Sequence, residues 1–177
     1  MFKRRLNPVI FLDKRKFKVQ EEKNKIIYLS KEIKIKDFKK IIISWNIVTP
    51  VDSYVDIEAR VLVNNNLKEK IWSKWLSWGR WGTNIKRASN SSNCTEAKIN
   101  VDTLTINEGY IGEAIQIKIS SYYDDKESKA DLQLVVITYC GEKINNKNGK
   151  EKLINKLIET PCISQMKREA EIANRIC

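Results

Sequence analysis

Between residues 26 and 139 apolar and polar side chains alternate in short runs. "EIKIKDF" is one such run. "YVDIEARVLV" puts Val55, Ile57, Ala59, Val61 and Val63 on one side of the chain and Asp56, Glu58 and Arg60 on the other. "EAIQIKIS" repeats the pattern with Ile115, Ile117 and Ile119. A period of two marks a strand with one buried and one wet face. "DLQLVVITY" predicts a more fully buried strand. "TPVDS", "NNN", "SNSSN", "NEG" and "DDKES" supply the turn chemistry between runs. A parallel sheet needs crossover helices, for which there is no room. The expected fold is therefore all-β, an antiparallel β-sandwich of jelly-roll or Ig-like kind.

The pattern also predicts the domain limits. The sandwich is expected over 26–140, after a basic N-terminal extension at 1–25. "GEKINNKNGKEKLINK", Gly141 to Lys156, has linker composition, polar and rich in lysine and asparagine. From 157 a short apolar stretch broken by Pro161 reads as the start of a further domain.

Composition narrows the function classes. The hydrophobic fraction of 42% supports a packed core in a chain of 177 residues. The longest apolar run, Leu132 to Cys140, is too short to span a bilayer, so no transmembrane segment is expected. No signal peptide is visible. That places the protein in the cytoplasm by default, or outside the cell if the true start lies further upstream. The net charge is +11, and Lys3 to Lys25 alone hold nine basic and three acidic residues. Such a run is a solvated face or an attraction to an anionic partner. Lysine outnumbers arginine, which recognises phosphates and bases better, and no nucleic-acid motif appears, so no specific nucleic acid is expected. The chain has no histidine and four cysteines, none in a C-x-x-C pair, so the common zinc-finger sites are excluded. No metal or other cofactor is expected. Four thiols are the default; a Cys94–Cys140 disulfide stays open.

"IWSKWLSWGRWG" concentrates Trp72, Trp75, Trp78 and Trp81. On one uninterrupted strand Trp72 and Trp78 would share a face, and Trp75 and Trp81 the other. Gly79 and Gly82 suggest a bend or bulge. The four indoles brace a core, or form a surface for a carbohydrate or cell-wall glycan, the function expected if the sandwich is a stand-alone binding module.

Several segments in order carry a resemblance: "SWN" at Ser44 to Asn46, Thr49-Pro50, "WSKW" at Trp72 to Trp75, Trp81-Gly82, "VDTL" at Val101 to Leu104, and "LQLVVIT". Pro161, Ser164-Gln165-Met166 and "IANRIC" ending at Cys177 follow. Together, from about Phe38 to Cys177, they resemble bacterial papain-like cysteine peptidases of the double-glycine-peptidase-like (C39-like) group, in which a β-sandwich precedes the α+β catalytic domain. The resemblance implies Cys177 as nucleophile and Gln165 as oxyanion-hole donor, acting on a peptide or protein substrate. A thiolate is favoured at a helix N-terminus, and an amide can stabilise the developing oxyanion. In that family the base is a histidine downstream of the cysteine. The chain is accordingly expected to be a truncated reading frame, cut at the nucleophile and inactive alone.

Overall fold

A computed structural model describes residues 9–141 apart from 66, 68 and 86–89. The alternating runs become strands. They are β1 (Val9–Asp13), β2 (Phe17–Glu22), β3 (Lys25–Ser30), β4 (Ile33–Val48), β5 (Ser53–Asn65), β6 (Lys70–Trp72), β7 (Leu76–Trp81), β8 (Asn90–Asn93), β9 (Ala97–Val101), β10 (Thr103–Ile106), β11 (Tyr110–Tyr123) and β12 (Asp131–Gly141). Single-turn 3-10 helices at Lys14–Lys16 and Lys126–Ser128 are the only helical elements among the described residues.

The strand pairings among the described residues are all antiparallel and join the twelve strands into one sheet. Two strands carry its connectivity. β11 pairs β5 along its whole length, and on its other side pairs β3 and then β4. β4 pairs β11 through Ile33–Phe38, then runs on beside β10 and β12. β4 thus belongs to two half-sheets, its start to one with β2, β3, β11, β5, β6 and β7, the rest to the other with β1, β12, β10, β9 and β8. Residues from both fill a single apolar core. The fold is all-β and sandwich-like, as the alternation predicts.

The bend in β4 has a local cause. Asp37 adopts φ 52°, a left-handed conformation that asparagine and aspartate tolerate better than most residues. It ends the Ile33/Ile35 alternation and lets Phe38 turn inward, fully buried. Gly112 of β11 lies opposite, where a Cβ would come within 2.4 Å of the Phe38 ring. β11 bulges between Gly112 and Ala114, absorbing the change in register.

Three expectations meet a different outcome. Residues 9–22, expected within a basic extension, lie in the sheet: Leu12 and Phe17 are buried, while the lysines of the run face outward. "DLQLVVITY" is not fully buried. A bulge at Gln133 brings Leu132 and Val135 to the same inner face with Ile137, leaving Leu134 and Val136 half exposed on the other. "SNSSN", read as a turn, supplies edge strand β8, which pairs β9 through its backbone and so needs no apolar side chains.

Candidate functional site

β5 presents Tyr54, Asp56, Glu58, Arg60, Leu62 and Asn64 on its outer face, because Val55, Ile57, Ala59, Val61 and Val63 are fully buried. β6 and β7 pair with the same strand, and the chain between them leaves the ladder at Ser73. This serine is buried: its N–H donates to the Val61 carbonyl at 2.9 Å, and its Oγ accepts from Val61 N–H at 3.0 Å and donates to the Lys74 carbonyl at 2.8 Å. The hydroxyl satisfies backbone groups that an uninterrupted strand would have paired.

The interruption decides where the tryptophans go. The Arg60 guanidinium lies over Trp72 and over Trp75, 4.8 and 4.9 Å from the two ring centroids. Trp72 and Trp75 therefore share one region, rather than opposite faces as a continuous strand would require. Trp78 is buried, its indole N–H donating to the Asp102 carbonyl at 3.0 Å. Trp81, opposite Val55, meets Trp45 edge-on at 6.3 Å. The predicted irregularity falls at Gly79, which has φ 102°, beside a register shift in the β5–β7 ladder.

The outer face is electrostatically ordered. Lys118 on β11 pairs with Glu58 at 2.7 Å, and its ammonium lies 4.7 Å from the Trp75 centroid. Arg80 takes both Asp56 carboxylate oxygens, at 2.8 and 2.9 Å, and stacks over Tyr54. Tyr54 in turn stacks on Tyr122 at 4.8 Å. Lys70 bonds Glu113 at 2.7 Å, which holds that carboxyl below its ordinary range and raises the lysine above its own. The Arg60 Nε–H donates to Gln116 Oε1 at 2.9 Å, and Gln116 Nε2 donates to the Ser30 carbonyl at 2.9 Å.

An open cleft is lined by Lys74, Asn93, Cys94, Thr95 and Glu96. The Cys94 thiol donates to the Ala97 carbonyl at 3.2 Å, and burial pushes its pKa up, so it is held protonated. Cys94 and Cys140 are both free, and Cys140 is exposed near the end of β12. A thiol reagent at neutral pH is expected to label exposed Cys140 severalfold faster than Cys94, whose thiol is half-buried and bonded to the Ala97 carbonyl. Mass spectrometry of timed alkylation products checks this, and equal rates would contradict the partial burial and hydrogen bonding of Cys94.

Cys177 and Gln165 lie outside the described residues, as do the linker from 142 onward and the segment 157–177. Among the described residues no group of three or more Cys, Asp or Glu side chains is placed to hold a metal ion. Nor is any helix long and apolar enough to cross a membrane. Sequence reasoning missed Arg60 and Lys118 as neighbours of the tryptophans. Alternation put Arg60 on the wet face, but only the pairing of Leu62 with Trp72 brings that face to the indoles.

Continuous antiparallel pairing, one shared core and a polar outer face define an all-β, sandwich-like domain. Residues 26–138 match the Peptidase C39 N-terminal domain, and the chain belongs to that family. No curated protein and no solved structure matches it.

Proposed function

We propose that the chain is the accessory sandwich and the nucleophile-bearing start of a cysteine peptidase. The match of residues 26–138 to the N-terminal domain of a peptidase family carries this reading. Pro161, Ser164-Gln165-Met166 and Cys177 follow the matched region in the order that the peptidase resemblance requires. In this reading Cys177 attacks the scissile carbonyl as the thiolate, and the Gln165 amide donates to the oxyanion. The general base must be a group that these 177 residues lack, since they contain no histidine. It is assigned to residues encoded beyond codon 177, and the chain alone is expected to be inactive.

Sequencing the source DNA past codon 177 tests the reading. The expected result is an open frame that supplies a histidine and an Asp or Asn. In that longer product Cys177→Ala should lower peptide hydrolysis by at least about 10⁴-fold. A stop codon directly after Cys177, or an unchanged rate in the variant, would overturn it.

A further inference from the structure

We propose that Arg60 is an anion-binding site that takes a carboxylate of an acidic peptide lying along the outer face of β5 and β6. The inference does not depend on the catalytic reading.

Charge pairing leaves Arg60 without an acid beside the indoles. The acids on this face already have cations: Asp56 is taken by Arg80, Glu58 by Lys118 and Glu113 by Lys70. Arg60 bonds only the neutral Gln116, through Nε, and otherwise meets two indole rings. Its two terminal amino groups are left without a protein acceptor among the described residues. A guanidinium fork is matched to a carboxylate, and one already immobilised loses little entropy when it binds. Gln116, tied to the Ser30 carbonyl, and the two indoles provide that immobilisation. The cation also carries no acidic counter-charge of its own, so an incoming carboxylate completes a pair instead of displacing one.

The occupant follows from the adjoining backbone and rings. β6 pairs only with β5 among the described residues, which leaves its other side unpaired among them, beside Trp72. An extended peptide can pair with that side through its main chain while one acidic side chain reaches the arginine. An acidic sugar lacks that backbone complementarity. It would also need free indole faces, whereas Arg60 covers Trp72 and Trp75, and Lys118 also lies over Trp75.

The test is a titration of the full chain with tetraglutamate, following the indole N–H resonances by NMR. Tetraglutamine, polygalacturonate and inorganic phosphate serve as comparison arms. With tetraglutamate, the Trp72 and Trp75 signals should shift saturably while that of buried Trp78 stays in place; tetraglutamine should shift none. Arg60→Gln should weaken binding by about 10- to 100-fold, the usual worth of a charge-assisted hydrogen bond. Arg60→Lys, which keeps the charge and loses the fork, should fall between. Far-UV circular dichroism of both variants establishes that they fold; if Arg60→Gln does not, Arg60→Lys decides. No saturable shift, equal binding by tetraglutamine, or undiminished binding in the folded variants would overturn the proposal. So would saturation by polygalacturonate or phosphate with no response to tetraglutamate.

Discussion

Phe38→Ala should lower the free energy of unfolding by about 3–5 kcal/mol, the usual cost of emptying a fully buried aromatic site. Phe38 has no exposed surface and sits where β4 passes from one half-sheet to the other. Its ring fills the space over Gly112, so the vacated volume lies between strands held in place by their own ladders and cannot easily collapse. The converse change makes the test specific. Gly112→Ala would put a methyl group 2.4 Å from ring atoms of Phe38, and should cost about 1–3 kcal/mol by overpacking. In the Phe38→Ala background the same methyl enters a cavity, and its cost should fall to near zero or change sign. Urea denaturation of the four proteins measures this coupling. Additive costs would show that the ring is not what excludes a side chain at position 112.

The second large effect is expected at Trp78. Trp78→Ala should destabilise by about 3–5 kcal/mol, because it removes a buried indole and the hydrogen bond to the Asp102 carbonyl. That bond spans β7 and the tight turn between β9 and β10. The turn is strained: Val101 adopts φ 60°, a conformation that a β-branched side chain resists. Trp78→Phe keeps most of the apolar volume and loses the N–H, so it should cost less, about 1–2 kcal/mol. Thermal unfolding followed by circular dichroism separates the two variants. Equal losses would assign the whole effect to the hydrogen bond, and a negligible loss in both would contradict the burial of Trp78.

The inner faces of β5 and β11 were legible residue by residue. Val55 through Val63 and Ile115, Ile117 and Ile119 are buried in the phase their alternation predicts, because the β5–β11 ladder runs from Val55 to Leu62 without a register shift, and the bulge between Gly112 and Ala114 adds its residue to β11, not β5. The phase became unreadable where a strand bulges. Gln133 shifts β12, and Asp37 turns β4, each by a local departure that leaves little mark in an apolar–polar pattern. Polar strands were hidden for a related reason. The Ser/Asn-rich β8 and the charged β2 sit at sheet edges, where backbone pairing suffices and burial asks little of the side chains.

The candidate sites divide in the same way. Pro161, Gln165 and Cys177 were singled out by their order along the chain, and their roles remain part of the proposal. The arginine between two tryptophans was not readable at all, since Arg60 lies on β5 and Trp75 in the link between β6 and β7, and they meet only through the pairing of those strands. What the sequence determined by itself was the all-β class, the inner faces of the long strands and a charge balance in favour of cations. These follow from periodicity and composition, which are local or summed properties of the chain. Only the tertiary structure decided which tryptophans are buried, where Phe38 and Gly112 interlock, and that Arg60 meets two indoles instead of an acid. Each of those depends on strand pairs far apart in sequence, where one bulge or one residue of register moves a side chain from the core to the surface.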